Sequence, residues 1–305
     1  MKKTFITLVM LLAAVSLSAQ EKSIDFKKGT LEICTSSKIQ ISGYDGDQVV
    51  IKSNTPENVF YVNRGNSYVL NGQARVNTTS TDSISYLYFS TFDKDKKEKS
   101  KGLTPLGSTK EDHTAIDMNF DIQKFGSRLT ITDKAADGQS NVLFVSSTSY
   151  EILVPNSVKL VLDAGKCKNN SNPSRLIFSA EALKINDYAG ELMVSSQYKA
   201  IELTDVSGPA LVNTLGGDVK VVFDKKRPDD LFSIISNDGD IDITMPAKAK
   251  VSASIVGQEI LSNLDFKIIQ EEYSDNQKMI NAELNGGGTK LDIRTDFGTI
   301  YLRKQ

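Results

Sequence analysis

GELMVSSQYKAIELTDVSGPALVNTLGGDVKVVF, residues 190–223, is a series of short apolar runs punctuated by glycine. Gly190-Glu191-Leu192 and Gly217-Asp218-Val219 share one order: a glycine, an acid, then the first apolar residue of a run. Gly239-Asp240-Ile241 repeats it further on, and Gly298-Thr299-Ile300 echoes it. Leu192–Val194, Ile201–Leu203, Ala210–Val212 and Val219–Phe223 are too short for amphipathic helices or for comfortable two-layer sandwich strands. Two runs with their turns span about 18 to 22 residues, the size of a coil in a stacked repeat. The pattern predicts an all-β chain built as a single-stranded β-helix or β-solenoid-like scaffold, each apolar run joining an interior row. Its acids fall where the alternation faces solvent, and its glycines where coils turn.

An internal repeat frames this stretch. Tyr150-Glu151-Ile152-Leu153-Val154-Pro155-Asn156-Ser157-Val158-Lys159-Leu160 aligns with Ile241-Asp242-Ile243-Thr244-Met245-Pro246-Ala247-Lys248-Ala249-Lys250-Val251. Pro155 matches Pro246, Glu151 matches Asp242 and Lys159 matches Lys250. Proline cannot donate to a ladder, so each copy is expected to bend or end a strand there. Towards the N-terminus, Ile24–Phe26 and Leu31–Cys34 are β-prone. Ile39–Ile51 reads as a β-turn-β unit about Asp45-Gly46-Asp47. Towards the C-terminus, Glu271–Lys278 is polar and reads as a loop, Gly286-Gly287-Gly288 as a turn, and Lys290–Arg294 with Thr299–Arg303 as the strand pair that closes the chain.

From about residue 53 to 126 the glycine pattern lapses, and the stretch reads as an irregular insertion in the scaffold. Asp93–Lys101 is a charge run with little apolar surface to bury. Ile84–Ser90 alternates so that Tyr86 and Tyr88 share a face, an arrangement suited to stacking on a sugar ring or contacting a partner. Asp82-Ser83-Ile84 fits a short acid-hydroxyl-aliphatic pattern for O-glycosylation at Ser83, as used by some Bacteroidetes.

Residues 1–19 have the form of a Sec-type signal peptide: Lys2 and Lys3, an apolar Phe5–Leu17, and Ala19 at the expected cleavage site. The apolar run is shorter than a membrane span. Residues 20–305 would then form one exported β-solenoid-like domain in the periplasm, at the cell surface or outside the cell, without an integral membrane segment. The 305 residues carry a formal charge of −2, and the overall balance does not recruit nucleic acid. Cys34 and Cys167 are the only cysteines. In an oxidising compartment they can form a single disulfide, or both can remain as buried thiols.

Few residues suggest chemistry. His113 is the only histidine and lies in the polar insertion. Cys34, His113 and Cys167 are too scattered to resemble a zinc set. Asp45 with Asp47, and Asp240 with Asp242, are the nearest approach to the paired carboxylates of a glycosidase. As Asp45-Gly46-Asp47 and Asn237-Asp238-Gly239-Asp240 they also resemble fragments of calcium loops without the full spacing. The acids read first as solvent-facing turn residues, and no catalytic, metal or cofactor residue is assigned.

The unit ISGYDGDQVVIKS, the YEILVPNSVKL corner, the glycine-acid-apolar coils and the terminal LDIRTDFGTIYLRK resemble, in this order, the DUF4097 family of adhesin-like bacterial envelope proteins, with a Bacteroidetes-like character. They also resemble the head domains of autotransporter adhesins. The resemblance covers about 39–51 and 128–303. It implies a β-helix-like fold at the envelope and no catalytic residues. The function expected is that of a non-enzymatic exported scaffold presenting a surface to an envelope protein or a surface glycan. Two alternatives are a carbohydrate-active β-helix enzyme and a structural or regulatory periplasmic protein of an envelope-stress pathway.

Overall fold

The computed structural model describes residues 21–35, 37–53, 118, 120–133, 149–163, 182–197, 199–274 and 276–305, with the backbone of strands at 59–63, 66–69 and 142–146. Every regular element among them is a β-strand. A 10-stranded sheet, sheet A, runs in the order β1 (Glu21–Asp25), β4 (Gln48–Ser53), β10 (Ser149–Pro155), β3 (Lys38–Tyr44), β12 (Leu183–Asn186), β14 (Ile201–Thr204), β16 (Val219–Val222), β18 (Ile241–Met245), β24 (Thr299–Lys304) and β20 (Glu259–Ser262). An 11-stranded sheet, sheet B, runs β7 (Phe120–Phe125), β8 (Arg128–Asp133), β2 (Gly29–Cys34), β11 (Val158–Asp163), β13 (Leu192–Ser196), β15 (Ala210–Thr214), β17 (Phe232–Ser236), β23 (Thr289–Thr295), β19 (Val251–Gly257), β22 (Gln277–Leu284) and β21 (Lys267–Ser274). A small third sheet pairs β6 (Asn66–Val69) with β5 (Val59–Asn63) and β5 with β9 (Val142–Ser146).

From β12 to β18 the chain alternates between the two large sheets, and successive strands of each sheet pair in parallel. This is the expected solenoid. Period-2 alternation sends one residue of each pair inward, so identical positions of successive coils stack in rows. Ile185, Leu203, Val221, Ile243 and Leu302 form such a row in sheet A. Val194, Val212, Ile234 and Ile293 form one in sheet B, and all nine are at most 3% exposed. Burying each such side chain contributes about 1.5–3 kcal/mol, and the short runs thus combine into one continuous core.

The two proline corners mark the departures from regular coiling. β10 ends at Pro155 and β18 ends just before Pro246. Around the first corner, β2 lies between β8 and β11, and β3 lies between β10 and β12. Around the second, β23 separates β17 from β19, and β24 separates β18 from β20. Each corner is thus interlocked with a strand pair from near one end of the described chain. The C-terminal pair is a wedge inside the stack, whereas the sequence suggested a simple closing pair.

Three further elements differ from the sequence reading. β3 and β4 form as expected about Asp45-Gly46-Asp47, but they do not pair, because β10 runs between them and bonds to both. Within the stretch read as a loop, Glu271–Ser274 and Gln277–Lys278 are instead strand residues of the antiparallel hairpin β21–β22. Its polarity reflects position, since β21 is an edge strand exposed at all eight residues. Residues 118 and 120–125 fall within the stretch read as the insertion, yet Met118 and Phe120 enter the core and β7 pairs with β8.

Candidate functional site

Of the residues singled out by sequence, Ser83, Tyr86, Tyr88, His113 and Cys167 lie outside the described residues. Cys34 is half-buried at the end of β2. The acids can be placed, and they serve the fold. Gly217-Asp218 and Gly239-Asp240 turn the chain from sheet B to sheet A. Gly190-Glu191 turns it from sheet A to sheet B on the opposite edge, so the shared pattern does not mark a single kind of turn. In the turns from sheet B to sheet A, Asp218 accepts the Asp240 N–H at 3.0 Å, and Asp240 accepts the Thr299 N–H at 2.8 Å. Each acid caps the turn of the next coil. Asp242 projects outward from β18 and pairs with Arg303 of β24 at 2.8 Å. Asp45 accepts from Asn156 at 2.9 Å, and Asp47 pairs with Lys27 at 3.0 Å. The two acid pairs are thereby divided among separate structural partners.

A column of buried hydroxyls supports the same turns, and the sequence reading missed it. Ser196, Thr214, Ser236 and Thr295 stand in register at the ends of β13, β15, β17 and β23. Thr214, Ser236 and Thr295 accept the N–H groups of Gly217, Gly239 and Gly298 at 3.0, 2.9 and 3.1 Å. A serine or threonine three residues before each of these glycines was the available signal.

The opposite edge, where sheet A turns into sheet B, is built on Asp205 and Asn156. Asp205, at φ 54°, is 3% exposed. Its Oδ1 accepts three successive backbone N–H groups, from Asp224, Lys225 and Lys226, at 2.8, 2.8 and 3.0 Å. Burial alone would raise its pKa, but these donors and the Lys225 charge reverse the effect and hold it below the ordinary carboxylate value. Asn156 donates to Asp45 and accepts the Ala189 N–H at 2.9 Å, tying the first proline corner to its neighbours. The Tyr188 hydroxyl, buried beside it, donates to the Val158 carbonyl. Burial and then the nearby Glu191 charge push its pKa up.

The outward faces differ in character. On sheet A, one cross-strand row reads Glu21, Lys52, Glu151, Gln40, Lys184, Glu202, Lys220, Asp242 and Tyr301. Charges of opposite sign recur along it, and Lys184 pairs with Glu202 at 3.0 Å. Such pairs favour the register in which the coils stack. On sheet B, Met193 and Leu211 are adjacent on the outer face, with Ile235 a row away and 40% exposed. Among the described residues no group of three or more His, Cys, Asp or Glu side chains is placed to hold a metal ion. No helix there is long and apolar enough to cross a membrane.

Neither a protein-family model nor a curated protein matches the chain. Among solved structures, it is similar to a crystal structure described as a "putative cell adhesion protein" from Clostridium sporogenes. The two share 8% identity at a TM-score of 0.39, over 94% of this chain and 100% of the other.

Proposed function

We propose that this chain is a non-enzymatic, exported cell-envelope protein whose solenoid displays a binding surface for an envelope protein or a surface glycan. The observation that carries the reading is the use of the acids: Asp45, Asp47, Asp218, Asp240 and Asp242 are each engaged in a turn cap or an ion pair. A glycosidase-like centre would instead hold two carboxylates towards one substrate. The resemblance of the proline corners and coils to DUF4097 and to autotransporter adhesin heads supports an envelope role. Residues 1–19 supply the export signal in this reading, and 20–305 the functional domain. Tyr86 and Tyr88 remain the contacts proposed within the insertion, because loops carried on a rigid scaffold commonly hold recognition residues.

The test compares the full chain with a variant lacking 54–117, in pull-downs from intact envelopes and by circular dichroism. The reading expects a folded, β-rich deletion variant that captures nothing. An unfolded variant would make the segment part of the core, and retained capture would remove Tyr86 and Tyr88 from the binding surface. Turnover of a polysaccharide by the full chain would favour the enzyme alternative.

A further inference from the structure

The edge where sheet A turns into sheet B gathers exposed cations from segments distant in sequence. Lys225 and Arg227 lie on the loop after β16, Lys248 and Lys250 on the second proline corner, and Lys290 at the start of β23. Thr289 brings these segments together: its Oγ1 donates to the Pro228 carbonyl at 2.7 Å, and its N–H to the Lys250 carbonyl at 3.1 Å. The Asp205 carboxylate fixes the first loop through the backbone of 224–226. Asn285 fixes the corner by donating to the carbonyls of Ala247 and Ala249 at 2.7 and 2.8 Å. The cations therefore project from a held frame.

Lys226 of the same loop turns back to Asp187 at 3.6 Å, and Arg303 is taken by Asp242. Lys225, Arg227, Lys248, Lys250 and Lys290 carry no carboxylate ion pair among the described residues. The acids beside them are Asp205, which holds the Lys225 loop from beneath, Asp224, which accepts from Gln305, Asp230, which accepts the Leu231 N–H, Asp229 and Glu283. The opposite edge carries Asp218, Asp238, Asp240 and Asp296. The Lys225 edge thus presents five cations outside any ion pair among the described residues, interspersed with acids that are in part engaged by the fold.

We propose that this basic edge binds a linear anionic polysaccharide, carboxylated or sulfated, lying along the solenoid axis. The inference rests on the envelope-scaffold reading above and gives its glycan a chemistry and a location. Coils succeed one another at about 4.8 Å, so bases on successive turns form a track for repeated negative charges. Single-stranded nucleic acid would call for aromatic stacking platforms along the track, and the residues here are lysines, an arginine and polar turn residues. A membrane surface would call for an apolar face to insert beside the cations, which Ala247, Asn285 and Thr289 do not provide.

The experiment measures binding of the full chain to heparin, alginate and neutral dextran at low and moderate salt. A Lys225→Ala/Arg227→Ala/Lys248→Ala/Lys290→Ala variant is compared with a Lys22→Ala/Lys184→Ala/Lys220→Ala/Lys278→Ala variant that loses the same charge away from this edge. The expected result is salt-sensitive binding to an anionic polymer but not dextran, weakened at least about tenfold in the first variant and little in the second. Equal loss in both variants, or retained binding in the first, overturns the location. Tighter binding to duplex DNA or to phosphatidylglycerol vesicles overturns the partner class. Lost polyanion binding with unchanged capture from intact envelopes removes the edge as the envelope contact and leaves the scaffold reading standing.

Discussion

A Cβ placed on Gly298 would overlap the carbonyl oxygen of Gly239 in the turn of the neighbouring coil. The same relation holds between Gly239 and Gly217, and between Gly217 and the Lys199 carbonyl. These turns stack too closely for any side chain at that position. Gly239→Ala is therefore expected to destabilise the protein by about 3 kcal/mol, the upper end of the usual cost of overpacking. Gly126→Ala, where a Cβ would meet nothing within 4 Å, is an internal comparison; its φ of +55° limits its cost to about 1–2 kcal/mol. Urea unfolding of the two variants checks the order.

Thr295 is 0% exposed, and its hydroxyl both accepts the Gly298 N–H and donates to the Gly239 carbonyl at 3.1 Å. Thr295→Val keeps the shape and removes both bonds. The buried N–H then has no acceptor, at a cost of about 1–3 kcal/mol. Thr295→Ser should recover most of that loss, and a serine variant no better than valine would show that packing of the methyl group dominates.

Architecture was legible in the sequence because a solenoid is written locally. Gly217-Asp218-Val219 and Gly239-Asp240-Ile241 each specify a turn and a strand start, and both occupy the same place in successive coils. The match of Pro155 to Pro246 likewise identified two real corners. Register between distant segments was not legible. Nothing local in Lys38–Tyr44 indicates that Ser149–Pro155 will pair beside it, or that Thr289–Thr295 will lie between β17 and β19. The polar stretch of β21 was misread because an edge strand with neither face covered loses the alternation by which strands are recognised. The basic edge escaped notice because Lys225, Lys248 and Lys290 are brought together only by folding.

Asp205 makes stability depend on pH in a defined direction. Its folded-state pKa is depressed, so its contribution is complete above the unfolded value near ~3.9 and is lost as pH falls through the folded value. Asp205→Asn keeps an acceptor oxygen but gives up the charge that strengthens the three N–H bonds. The variant should be less stable than the parent by a constant margin above about pH 5, and the margin should shrink below about pH 4. Denaturation curves across pH 3 to 8, on the order of one unit apart, check this. A margin that grows in acid would mean that Asp205 is not the group being protonated.

Cys34 ends β2, which pairs with β11 through Ile33 and Leu162, and β11 stops at Asp163, four residues before Cys167. Four residues can turn back to within the ~7 Å between Cα atoms that a disulfide requires. The expected outcome is that the exported chain resists alkylation until it is reduced, and that Cys34→Ser with Cys167→Ser lowers stability by about 2–4 kcal/mol. Ready alkylation of the native, unreduced protein at both positions would establish the thiol reading.

The interlock at the second proline corner predicts an unusual response to truncation. In a simple solenoid, stability sums over coils and their interfaces, so removing a terminal coil shortens the stack and leaves the rest folded. Here the terminal strands β23 and β24 lie between β17 and β19 and between β18 and β20. Deleting 289–305 opens a gap within both sheets and uncovers Phe232, Ile234, Ile241 and Ile243, all 0% exposed in the intact stack. The β21–β22 hairpin and β19 would also lose their attachment to the preceding coils through β23. The truncated chain should therefore fail to fold cooperatively across its length, as read by circular dichroism and urea unfolding. Deleting only 265–276, from the exposed outer hairpin, should cost far less. Comparable stability of the two deletions would show that the coils before β18 fold as an independent unit.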